Sequence, residues 1–75
     1  MNIGSLYSYP NSRIVFSDEQ HTKCISSMET DEPFVLLEVK HLKRVEAYKV
    51  LTIQGAVGWI RITYPEKVKE VIYDG

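Results

Sequence analysis

Tyr48-Lys49-Val50-Leu51-Thr52-Ile53-Gln54-Gly55-Ala56-Val57-Gly58-Trp59-Ile60 is the stretch on which the fold turns. Two runs rich in β-branched and aromatic residues, Tyr48 to Ile53 and Ala56 to Thr63, flank Gln54-Gly55. Glycine supplies the positive φ that a tight hairpin turn needs, so the pair predicts a β-hairpin. Gly58 interrupts the second run, and a glycine inside a strand leaves room for a neighbouring backbone or ring, or marks a bend.

Working outward, Phe34 to Lys40 predicts a strand before the hairpin, with Val35, Leu37 and Val39 facing inward and Glu38 and Lys40 facing water. Between them, Leu42, Val45 and Tyr48 are also spaced for a helix over 41–49, an alternative that would make the fold α+β. Further back, Ile3 to Tyr9 predicts a strand with Ile3, Ser5, Tyr7 and Tyr9 on one face, and Pro10-Asn11-Ser12 breaks it. Arg13 to Phe16 is a short apolar run. A long polar excursion follows to Pro33, with a short strand around Lys23 to Ser26. After the hairpin, Thr63-Tyr64-Pro65-Glu66 has the spacing of a capping box, predicting a single helical or 3₁₀ turn near 64–68. Val68, Val71 and Ile72 fit a helical stripe, while Lys69 to Tyr73 equally fits a closing edge strand.

Composition agrees with β structure. Val, Ile and Thr total nineteen against two Ala, and branched side chains are freer on a strand than in a helix. With 75 residues there is one core, one domain over 1–75 and no room for a deep cofactor cleft, because so short a chain buries only about 60% of its unfolded surface. Nine Lys and Arg against ten Asp and Glu give a net charge of -1, which argues against a general nucleic-acid binder. One cysteine forbids an internal disulfide and fits a reducing, cytoplasmic setting. No apolar run has the length of a membrane span, and no signal segment opens the chain.

The runs Tyr48-Lys49-Val50-Leu51 and Gly55-Ala56-Val57-Gly58-Trp59-Ile60, with Tyr64 and its turn, resemble the later half of Src-homology-3 type (SH3-like) small barrels, especially bacterial ones. Ser5-Leu6-Tyr7-Ser8-Tyr9 resembles the opening segment of the eukaryotic members, and Arg13 to Phe16 the segment after it. These pieces keep the family's order and cover less than half of the chain. The resemblance implies an all-β, five-stranded barrel of two orthogonal sheets. On that reading Val35, Leu37, Val39, Val50, Ile60 and parts of Tyr48 and Trp59 fill the interior. It also implies that Tyr7, Tyr9 and Tyr64 match groove tyrosines. Where peptide-binding members carry an exposed Trp and a Pro, this chain has Ala47 and Arg61, so the likeness does not extend to proline-rich ligands.

Tyr7, Tyr9, Tyr64 and Tyr73, with Arg61 nearby, would make an exposed aromatic strip for a protein partner, or else cap the barrel ends. Lys40, His41, Lys43 and Arg44 form a basic run on a connection, either a solvated loop or an attractor of acidic surfaces or phosphate. The acidic run Glu29 to Glu32 is a candidate counterpart, within the chain or in a second copy. His21 and Cys24 have a His-x-x-Cys spacing, but with only His41 to join them they do not make a zinc site. No pocket is in view to activate Cys24, whose ordinary reading is a half-buried thiol. No carboxylate pair and no phosphate loop stands out, so the expectation is a chain that is not an enzyme and holds no cofactor or metal. It reads as a non-catalytic interaction or assembly module, similar to small accessory proteins of bacteria and phages, with homo-oligomers an option. The alternative is a nucleic-acid-binding barrel using the basic run and Arg61 on phosphates and Trp59 or a tyrosine for stacking.

Overall fold

The computed structural model describes residues 1–18 and 23–72. The chain is all-β. In order come β1 (Leu6–Ser8), β2 (Arg13–Phe16), β3 (Cys24–Met28), β4 (Phe34–His41), β5 (Glu46–Thr52), β6 (Val57–Ile62), a 3₁₀ turn (Pro65–Lys67) and β7 (Lys69–Glu70). They form one antiparallel seven-stranded sheet in the order β3-β2-β6-β5-β4-β1-β7. The two additional strands relative to the expected five arise from the segment after Pro10. Its apolar residues fold into the β2–β3 hairpin, which joins the sheet where Phe16 pairs with Trp59.

Alternation selects the inner face. Tyr48, Val50 and Thr52 of β5 point in with Ile60 and Ile62 of β6, and Tyr7, Tyr9, Val15, Met28, Phe34 and Leu36 complete the interior. The described chain offers only one short 3₁₀ turn besides strands, so no second layer exists to cover that face, and the twisted sheet must curl over itself. The radius of gyration, 11.3 Å, equals the roughly 11 Å of a compact chain this long.

The central hairpin forms as the sequence indicates, with one adjustment. Thr52 N–H donates to the Ala56 carbonyl (2.8 Å), and Gly55 N–H donates to the Thr52 carbonyl (3.0 Å). The loop is therefore three residues, Ile53 to Gly55, with Gly55 at φ 86° in its last position. Gly58 lies where a side chain would strike the Phe16 carbonyl oxygen at 2.5 Å, the close backbone approach expected of it.

Five readings are corrected. The face of β4 is inverted at its start: Phe34 and Leu36 are fully buried, while Val35 and Leu37 are half-buried outside the core cluster. A bulge between Leu36 and Glu38 then restores the expected phase, and Val39 packs against the core. The first strand shrinks from Ile3–Tyr9 to Leu6–Ser8, because Gly4 turns at φ 89° and Ser5 N–H closes back onto the Asn2 carbonyl. The helix over 41–49 does not form; β4 runs to His41, residues 42–45 make the connection, and β5 takes 46–49 and pairs on both sides. The capping box is not made either, since Tyr64 holds the cap position without a side-chain bond and Pro65 starts the turn. Of the two readings after it, the edge strand prevails, with Lys69 and Glu70 paired to β1. Trp59 is buried but not in the inner cluster, because its neighbours Ile60 and Ile62 take the inward positions.

Candidate functional site

The expected tyrosine strip divides. Tyr9, at the end of β1, is 1% exposed, and its hydroxyl accepts the Tyr64 backbone N–H (3.2 Å) and Arg13 Nη2 (3.4 Å). Tyr7 is 4% exposed; its hydroxyl accepts Asn2 N–H (2.6 Å) and its ring packs 6.4 Å from Phe34. Neither ring lies on an open face, which corrects the reading of both as exposed contacts. A buried tyrosine needs a partner for its oxygen, and here the partners come from residues 2, 13 and 64. Tyr64 stays 48% exposed, with the Lys67 ammonium 4.9 Å from its ring centroid. Tyr73 and His21 lie outside the described residues.

Next to Tyr64 lies a groove. β2 and β6 share the single register pair Phe16 and Trp59, and toward the start of β2 and the end of β6 they open a depression of about 560 Å³. Ile14, Phe16 and Met28 supply its apolar part, and Arg13, Arg61 and Glu29 its charges. Ile14 is 50% exposed, so apolar surface is offered to a visitor. Arg13 stacks its guanidinium 4.9 Å over the buried Tyr9 ring and donates Nη1 to the Ser12 carbonyl (3.0 Å). Its Nε is buried with no acceptor, an arrangement that costs about 1–3 kcal/mol when nothing offsets it. Arg13 was not singled out from the sequence; what makes it matter is the fold-over of β2 onto Tyr9, which no local pattern signals.

The basic run is only partly gathered. Lys40, on β4, stands 5.5 Å above the Trp59 ring, and His41 Nδ1 sits 2.8 Å from Glu46 Oε1. Lys43 and Arg44 remain exposed on the β4–β5 loop. Among the described residues no ion pair joins this run to Glu29–Glu32. Trp59 is 8% exposed, so its face is not offered for base stacking. Arg61 is exposed on β6, directly across from the fully buried Ala47 of β5.

Below the basic loop, the Tyr48 hydroxyl donates to Glu46 Oε2 (2.8 Å). Burial, then the Glu46 bond and charge, raise the Tyr48 phenol well above its ordinary value. Glu46 thus ties a surface imidazole to a core phenol, an organising role. Cys24 is exposed on the edge strand β3 rather than half-buried. Among the described residues no three His, Cys, Asp or Glu side chains converge for a metal, and no helix is long and apolar enough to cross a membrane.

No family model, curated protein or solved structure matches the chain.

Proposed function

We propose that the chain is a non-catalytic protein-interaction module of the SH3-like kind, a small cytoplasmic accessory protein that docks a partner on the β2–β6 groove and Tyr64. The observation that carries this reading is an open depression lined by Ile14, Phe16 and Met28 together with Arg13 and Arg61, with Thr63, the chain neighbour of the half-exposed Tyr64, at its edge. Interfaces concentrate affinity in such places, where aromatic and arginine anchors surround a pocket. The SH3-like assignment draws support from the β4-β5-β6 meander followed by one 3₁₀ turn and a last strand that returns to β1.

The test is affinity capture from the source cell with the full chain and with a Tyr64→Ala, Arg61→Ala double variant. Both side chains are exposed, so the variant keeps the buried Trp59 emission as a check on folding. The expected outcome is a protein retained by the native chain and lost from the variant. Retention that disappears with nuclease, or falls by orders of magnitude between about 50 and 200 mM salt, would instead assign the surface to nucleic acid.

A further inference from the structure

We infer that a second copy of this chain docks on the free edge of β3, the two copies of that strand pairing antiparallel about a two-fold axis near Ser26. The edge is a second surface, and pairing there does not require a partner in the groove.

The two ends of the sheet differ in how they are protected. β7 closes one end with only two residues, Lys69 and Glu70, both exposed and charged. Short length and charge are ordinary means of keeping an edge from recruiting another strand. β3 closes the other end over five residues, Cys24-Ile25-Ser26-Ser27-Met28, with no charge and no proline. Among the described strands it pairs only with β2, so its outer side carries backbone N–H and C=O groups that no strand meets. Ile25, 43% exposed, adds apolar surface there. Ile25 is also an extra residue against Val15 and Phe16, and such a bulge bends the strand. It shortens the available ladder and makes the association weak, while Ser26 to Met28 keep regular register on β2.

The charges flanking this neutral strand choose the occupant. Lys23 precedes it and Glu29 follows it, both exposed. Antiparallel pairing of two copies sets each Lys23 beside the partner's Glu29, twice by symmetry, whereas parallel pairing would bring like charges together. About Ser26 the pairing also sets Ile25 near the partner's Ser27 and Cys24 near the partner's Met28, so no charge enters the ladder. The strand is thus complementary to its own copy, which is what a two-fold interface requires. Union of β3 with β7 of another copy lacks this match, because β7 offers two residues and both are charged.

The experiment is sedimentation equilibrium of the full chain from about 10 µM to about 1 mM, the range suited to a small interface, with reductant present so that Cys24 forms no disulfide. ¹⁵N amide shifts over the same dilution series locate the contact. A monomer–dimer equilibrium is expected, with concentration-dependent shifts at residues 24–29 and none at Lys69 and Glu70. Lys23→Glu and Glu29→Lys should each weaken the dimer about tenfold, because each reversal sets like charges at both ends of the ladder. They change the net charge in opposite directions, so a loss common to both is not a net-charge effect. The double variant Lys23→Glu, Glu29→Lys should regain native association, which a folding defect would not allow. Both positions are exposed and flank the strand, and unchanged emission of the buried Trp59 checks that each variant is folded. A monomer throughout, shifts confined to other residues, or a double variant no better than the singles would each overturn the inference. None of these outcomes touches the groove reading, which is judged by capture of a protein through Tyr64 and Arg61.

Discussion

At Gly58 the sheet is tightly drawn together. A Cβ there would lie 2.5 Å from the Phe16 carbonyl oxygen and 2.6 Å from Val15 Cγ1. The carbonyl belongs to β2 beside its Trp59 register pair and has little freedom to move. Gly58→Ala should therefore destabilise by about 1–3 kcal/mol, lowering the thermal midpoint by roughly 4–8 °C per kcal/mol for a domain of this size. An unchanged midpoint by circular dichroism would contradict the close approach. Tyr48 gives a second prediction. Its phenol is raised above the ordinary value of 10.0 by burial and then by Glu46, so above that pH the unfolded chain sheds a proton that the folded chain keeps. The unfolded state then binds fewer protons, and stability falls as pH rises through the folded value. Urea unfolding at about pH 9 and 11 should show a loss in the native chain that Tyr48→Phe reduces; equal losses in both would refute the linkage. At this scale the sequence was informative about glycine, whose missing side chain frees φ at Gly55 and makes room for a neighbouring strand at Gly58. It was ambiguous about tyrosine: Tyr7 and Tyr9 are buried with oxygen partners from Asn2, Arg13 and Tyr64, bonds made across turns or, for Tyr64, from the far end of the chain, which strand alternation does not signal.

Among the elements, β4 shows where alternation loses its power. Phe34-Val35-Leu36-Leu37 is apolar on both faces, so a period of two cannot choose between them, and the bulge after Leu36 changes the phase midway. The hairpin was legible because glycine at positive φ is a requirement of the turn itself. Gly55→Ala should cost about 1–2 kcal/mol, the penalty of a side chain in the left-handed region, read as a lower urea midpoint without a change of slope. The bulge makes a sharper prediction. Removing Leu37 leaves Leu36 opposite Val50 and Glu38 opposite Lys49, whereas removing Val39 turns Lys40 toward the core. The first deletion should keep a cooperative transition and the second should abolish it. Equal damage from both would show that the register of β4 is not what orders this half of the sheet.

For the whole molecule, the strands of one sheet gather around one core. Trp59, buried at 8% on the outer side of β6 under Lys40, should emit at blue-shifted wavelengths and red-shift together with the loss of β-sheet dichroism. Separate transitions would mean that the outer face comes apart before the core. Of the site, Tyr64 and Arg61 were readable in the sequence as exposed residues near the last strands. Arg13 and the groove beside it were not, because they exist only once the β2–β3 hairpin has folded against β6. The central claim is that this groove is the working surface. Its most direct test is a benzophenone photo-crosslinker placed in the native cell at Thr63, on the groove, and separately at Gln54, on the exposed hairpin tip. The account predicts a discrete protein adduct from Thr63 that Arg61→Ala abolishes and none from Gln54; adducts from Gln54 with none from Thr63 would place the working surface elsewhere.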